Sequence, residues 1–260
     1  MKLYRLFGAQ NESFKGKKAF LFDMDGTLVD SMEYWVIPRE DFPGGWEGKR
    51  EFIREKYNTS IPYKPYALPL LQLLKKHQIP VCIASDTPKQ LSAGLLQRLG
   101  LEEWIDFYMG SDDVGEFKAS SMKIFHAAAE RMGLTPAECI VVEDRGKYCR
   151  MAKEDGFAVM GVLDPYCPQE HPDMQAYADW VLADFGELLA LAGECKKFFR
   201  YRKEHQTPTR SRLRRFPPLS YASTTETSAV CLQTYSEMTR RYGFRCRPTT
   251  RIAAPLPLSP

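Results

Sequence analysis

Long apolar runs are missing from this chain of 260 residues. No stretch reaches the roughly 18 consecutive apolar residues that a membrane-spanning helix needs. The opening segment, 1–18, also has no apolar run of the signal-peptide kind. No membrane partner is therefore expected. Cysteine is present but unorganised: Cys82, Cys139, Cys149, Cys167, Cys195, Cys231 and Cys246 are odd in number, scattered, and include no C-x-x-C pair. That pattern argues against a disulfide framework and against a zinc site, and for a reducing, cytoplasmic location. Histidine is scarce, and His77, His126, His171 and His205 read as ordinary surface or helix residues.

What is present is globular usage, with 44% hydrophobic and 27% charged residues, enough to bury a core. The length favours one domain with an insertion or an appendage. The net charge of +3 hides a division. Segment 195–260 holds 14 Lys and Arg against 3 Asp and Glu, so the first 194 residues carry −8. The basic segment is rich in Pro, Thr, Ser and Arg, lacks any sustained period, and closes on APLPLSP. Such composition buries too little apolar surface to offset chain entropy, so a disordered tail is expected. All nine of its basic residues after Lys203 are Arg, a pattern that an appended or out-of-frame coding segment would produce as readily as a functional arm. Its charge is the sole hint of nucleic acid, and most charge runs are simply solvated, so no nucleic-acid role is expected.

Along the chain, short apolar runs alternate with helical periods. Strands are predicted at the start of Lys18–Val29 and over Ile79–Ser85, Asp106–Gly110, Glu138–Val142, Ala158–Leu163 and Trp180–Leu182. Helices are predicted over Tyr66–His77, Pro88–Leu99, Ser121–Met132, Tyr148–Asp155 and Phe185–Ala192. This rhythm implies right-handed crossovers and a parallel sheet covered on both faces. The fold class is α/β: a doubly wound, Rossmann-like parallel sheet, with a small helical cap insertion and a disordered C-terminal tail. The expected boundaries are an N-terminal extension over 1–17, a core over 18–30 and 65–194, a short cap over 31–64, and the tail over 195–260. The cap segment has room for at most one helical hairpin, and it follows the first strand's loop closely enough to fold over it.

Ligands of such sheets bind outside the carboxyl ends of the strands. The polar residues fall there: Asp23, Ser85, and the pair Glu143–Asp144. Asp23-Met24-Asp25-Gly26-Thr27 is the most specific stretch. Its four fixed positions would arise by chance in such a chain at a frequency on the order of 10⁻³. Two carboxylates at i and i+2 leave a strand end on one side, and Gly26 lets the chain turn away and leave room for a phosphoryl group. One acid can be a nucleophile and the other an acid/base, provided a cation offsets their repulsion.

These residues resemble the haloacid dehalogenase-like hydrolase superfamily, whose first motif is D-x-D-G-T. The resemblance runs from about Lys18 to Leu191, and ECIVVEDRGKYCRMAKEDGFAVMGV is similar to the β-phosphoglucomutase-like branch. It implies Asp23 as nucleophile and Asp25 as acid/base. It further implies Ser85 as a phosphoryl-oxygen ligand and Lys118 as the lysine that neutralises charge, with Lys123 as its rival. Mg²⁺ would be held by Asp23, the Asp25 carbonyl and the acids Glu143 and Asp144. Mg²⁺ prefers a few hard oxygen ligands with water and phosphate, which suits this set. Dehalogenases of the superfamily lack the second aspartate and phosphonatases replace it with Ala, so both are disfavoured.

Two departures bear on substrate. The cap is shorter than that branch's helical cap, and Asp86 stands where Asn is frequent. The leading expectation is a Mg²⁺-dependent phosphatase for a small phosphorylated metabolite, acting through an aspartyl-phosphate. The alternatives are a sugar-phosphate mutase and a non-catalytic binding module on the same fold. The sequence specifies no oligomeric state.

Overall fold

The computed structural model describes residues 2–7 and 12–194, so the reading of 195–260 lies outside the described residues. The elements, in chain order, begin with α1 (Lys2–Phe7), β1 (Ala19–Phe22), α2 (Met32–Trp35), α3 (Trp46–Thr59) and α4 (Ala67–Lys76). Then come β2 (Val81–Ser85), α5 (Lys89–Leu99), β3 (Phe107–Gly110), α6 (Ser111–Val114) and α7 (Lys123–Arg131). The last are β4 (Cys139–Glu143), α8 (Gly146–Glu154), β5 (Ala158–Val162), α9 (His171–Tyr177), β6 (Trp180–Leu182) and α10 (Gly186–Leu191).

Every ladder is parallel, and the strand order is β3-β2-β1-β4-β5-β6. That is the doubly wound order, in which the chain reverses direction across the sheet between β1 and β4. Both strands are buried along their whole length, because helices cover both faces. Side chains alternate accordingly. Phe20, Phe22, Ile83, Ile140 and Val142 join one core with α4, α5 and α10, while Ala19, Leu21, Cys82, Ala84 and Val141 join the other with α7 and α8. No helix among the described residues is long and apolar enough to cross a membrane.

The predicted strands and helices are present, with shifted ends. β2 starts at Val81 and not at Ile79, because Pro80 has no N–H to give and contributes only its carbonyl, which accepts from Phe20 N. α7 starts at Lys123, whose N–H is taken by Ser121 Oγ. α8 starts at Gly146, ahead of the expected Tyr148, where α9 crowds it. A Cβ on Gly146 would meet Glu170 O at 2.2 Å. α9 itself was not foreseen: it has 7 residues and carries Pro172 in its first turn, where proline is tolerated. α1 was not foreseen either. Leu3, Phe7 and Phe14 enter the first core, where Phe14 stacks on Trp180 at 4.6 Å.

The segment expected to form a cap, 31–64, holds α2 and α3, the latter 14 residues long. Its two connections to the core are zipped together. Asp30 N donates to Pro62 O, Lys64 N donates to Leu28 O, and Val29 pairs with Tyr63. The buried Lys64 ammonium lies between Asp30, at 3.1 Å, and Asp164.

Candidate active site

Asp23 follows β1 directly, and its N–H still bonds Val142 O of β4, which fixes it at the point where the strand order reverses. Glu143 ends β4 and Asp144 follows it. Carboxylate oxygens of Asp23, Glu143 and Asp144 all lie within 4.8 Å of one another, and all three residues are buried. Three acids in that space repel one another and are poorly solvated. Lys118 meets part of the charge: its Nζ is 2.5 Å from Asp23 Oδ1 and 2.7 Å from Glu143 Oε1, and it is 1% exposed. Burial acts to lower the Lys118 pKa, but the charges of Asp23, Glu143 and Asp86 outweigh it and hold the ammonium above its ordinary value. Lys123 is elsewhere, paired with Glu116 at 3.4 Å on the surface.

Burial and the neighbouring acids push the carboxyls of both Glu143 and Asp144 upward. Asp144 Oδ2 is buried with no hydrogen-bond partner. An orphaned carboxylate oxygen is costly unless something not made of protein completes it. A divalent cation with oxygen ligands fits this set, and Asp144 and Asp23 are the acids that would hold it. Gly26 makes the arrangement possible: at φ +80° it occupies a conformation that suits glycine, and a Cβ there would lie 2.3 Å from Asp144 Oδ2. The space that a Cβ on Gly26 would need is thus taken by Asp144 and Met32.

Asp25 is held by hydroxyls. Ser31 Oγ and Tyr57 OH donate to its Oδ1 at 2.7 and 2.6 Å, and Thr87 Oγ1 donates to its Oδ2 at 2.7 Å. Burial raises the Asp25 carboxyl above its ordinary value and the Asp23 charge adds to that, against the three hydroxyl bonds. Ser85 is buried at the end of β2, where its Oγ accepts from Thr87 N at 3.2 Å. Asp86, which stands where Asn is frequent, accepts the Lys118 N–H on its Oδ1 at 2.7 Å and so props the lysine loop. The structure therefore brings Asp23, Lys118 and Glu143 into direct contact, with Asp144 within 4.8 Å of the other acids and Asp25 and Ser85 on the adjoining loops. Sequence reasoning missed Ser31, Tyr57 and Thr87. Thr87 carried a usable signal, lying two residues beyond Ser85 at the same strand end. Tyr57 carried none.

A family model for haloacid dehalogenase-like hydrolases matches residues 38–154, a stretch containing Ser85, Lys118, Glu143 and Asp144 but starting after Asp25. A phosphoglycolate phosphatase of Neisseria meningitidis is 30% identical over 120 residues, 45% of this chain and 51% of that protein. The chain thus spans about half the length of that relative. A phosphoglycolate phosphatase of Photorhabdus laumondii is 24% identical over 221 residues, covering 69% of this chain and 94% of that protein. Among solved structures, a putative β-phosphoglucomutase from Thermotoga maritima shares the fold with TM-score 0.52 at 21% identity, covering 69% of this chain and 99% of that one. The chain is thus similar to the haloacid dehalogenase-like hydrolases over residues 38–154, and it shares its fold with the solved structure.

Proposed function

We propose that the chain is a Mg²⁺-dependent phosphatase acting on small phosphorylated metabolites, of the kind named in its phosphoglycolate phosphatase relatives. The observation that carries this reading is the buried cluster in which one lysine serves Asp23 and Glu143 while Asp144 Oδ2 is left without a partner. Phosphoryl transfer asks mainly for positioning and charge neutralisation, and this cluster is built for both.

An Asp23 carboxylate oxygen attacks phosphorus, the bond from phosphorus to the leaving oxygen breaks, and Asp25 gives that oxygen a proton. Asp25, now ionised, takes a proton from a water. That water attacks the aspartyl-phosphate, the Asp23–phosphorus bond breaks, and phosphate leaves with Asp23 restored. The upward pressure on the Asp25 carboxyl suits a group that must start the cycle protonated. Lys118 neutralises charge beside the nucleophile, and Ser85 binds a phosphoryl oxygen. Mg²⁺, held by Asp23, Asp144 and the Asp25 carbonyl with Glu143 alongside, would supply charge stabilisation for the phosphoryl oxygens. A mutase would use the same groups. The small cap, one short helix and one of 14 residues, supports hydrolysis, because a mutase must shield its aspartyl-phosphate from water. A non-catalytic module would have no need to keep Asp23, Asp25 and Asp144 together.

The direct test is phosphate release from a panel of phosphorylated metabolites, phosphoglycolate and sugar phosphates included, in the presence of Mg²⁺. Release from at least one, and none after EDTA, supports the reading. No release from any member overturns it.

A further inference from the structure

We propose that Tyr57, on the cap helix α3, is a positioning residue that leaves Asp25 Oδ2 as the oxygen carrying the transferable proton. The inference rests on the phosphatase reading and deepens it.

The direction of the Tyr57 hydrogen bond is set by its neighbours. Trp35 Nε1 lies 3.2 Å from the Tyr57 oxygen, and an indole N–H can only donate. The phenol therefore accepts from Trp35 and gives its single proton to Asp25 Oδ1, 2.6 Å away. Ser31 Oγ donates to the same oxygen. Oδ1 thus holds two donors, which fill its two lone-pair directions, whereas Oδ2 holds only Thr87. The oxygen with a lone pair to spare is Oδ2, so a proton on Asp25 sits there. Without the Tyr57 hydroxyl each oxygen would have a single donor, and the carboxyl would lose its reason to present one oxygen and not the other.

Ser31 and Thr87 belong to the loops that leave β1 and β2, but Tyr57 comes from the cap, 32 residues along the chain from Asp25. Its place is secured from the core. Arg98 on α5 donates its Nε to Tyr57 O at 2.9 Å and its guanidinium NH₂ to Ile61 O, gripping the last turn of α3. On the same helix, Gly94 leaves room for Asn58: a Cβ there would lie 1.7 Å from Asn58 Oδ1. The Tyr57 ring is fully buried. A hydroxyl held this firmly pre-orients its partner, so ordering the carboxyl costs nothing when substrate binds.

A misoriented acid should penalise a leaving group that needs a proton and spare one that does not. Phenyl phosphate and p-nitrophenyl phosphate have nearly the same shape, but nitrophenolate leaves readily unprotonated and phenolate does not. For both, kcat/KM reports the steps up to departure of the leaving group. Tyr57→Phe is expected to lower kcat/KM for phenyl phosphate about tenfold more than for p-nitrophenyl phosphate, a fraction of what a general acid contributes. Trp35→Phe, which frees the phenol to turn, should act in the same sense with smaller size, and it carries the test if Tyr57→Phe does not fold. Equal losses on the two esters, or no loss on either, overturn the inference while the phosphatase reading stands. A wild-type chain that hydrolyses no phosphomonoester with Mg²⁺ removes both.

Discussion

A Cβ on Gly26 would come within 2.3 Å of Asp144 Oδ2, so the turn after the first strand and the acid after the fourth share one space. Gly26→Ala meets two obstacles there. The backbone sits at φ +80°, where a side chain costs roughly 1–2 kcal/mol. The methyl group must also displace Asp144 or the Met32 side chain, whose Cγ lies 2.6 Å from the same point. Thermal melting should fall by about 2–4 °C for each kcal/mol lost in a domain of this size. Activity should fall by about a hundredfold or more, since a small misplacement in a site that works by positioning is costly. A Gly26→Ala enzyme with wild-type kcat/KM would show that Asp144 has freedom the packing denies.

Lys118→Met tests the other side of the cluster. The substitution keeps the stem packed against Phe125, whose ring lies 4.8 Å from Nζ, but leaves Asp23 and Glu143 without their cation. Removing one partner of a buried ion pair typically costs about 3–5 kcal/mol. The urea midpoint in EDTA should drop accordingly, and adding Mg²⁺ should recover part of the loss. An unchanged midpoint would mean the acids are already neutral in the folded protein.

Asp23→Asn separates chemistry from folding. The amide is nearly isosteric with the acid, and Lys118 keeps Glu143 as its partner at 2.7 Å, so the fold should be retained. Turnover should fall by several powers of ten, because groups that act as one unit fail together. Acid quench during turnover should trap phosphate on Asp23 of the wild type, with none on Asp25.

Local signals made most of this site legible in the sequence. Asp23 and Asp25 sit in a pattern too specific for chance, and Ser85, Glu143 and Asp144 end strands that their apolar runs announce. Lys118 and Lys123 could not be separated by spacing. What separates them is position: Lys118 sits on the loop before α7, where Asp86 holds its N–H, while Lys123 begins that helix on its exposed side. Tyr57 and Ser31 were invisible, since one depends on the docking of α3 against α5 and the other on the path of the loop past Gly26. The same limit hid α9, whose single apolar anchor, Met174, is defined by packing under Gly161 and not by periodicity.

The acids of the site should also write themselves into the pH dependence of stability. The carboxyls of Asp25, Glu143 and Asp144 are raised in the folded protein, by burial first and by neighbouring acids next. Unfolded, they titrate near their ordinary values of about 4. Above that point the folded state binds more protons than the unfolded state, so stability falls as pH rises. The EDTA-treated protein should therefore melt higher at pH 5.5 than at pH 7.5, by the about-4 reference just stated. Glu138, lowered to about 2, acts below this window, and Lys118, raised above its ordinary value, acts beyond it. Glu187, raised to about 7 by burial, contributes a slope of the same sign and must be subtracted. Asp144→Asn does so, because Glu187 is common to both proteins and cancels in their difference. The variant should be more stable than wild type in EDTA, with the gap widening toward pH 7.5. Mg²⁺ binds the ionised acids, so it should stabilise the wild type more at pH 7.5 than at pH 5.5 and stabilise the variant little at either. An Asp144→Asn protein that still gains several degrees from Mg²⁺ would place the ion away from Asp144 and remove this account of the cluster.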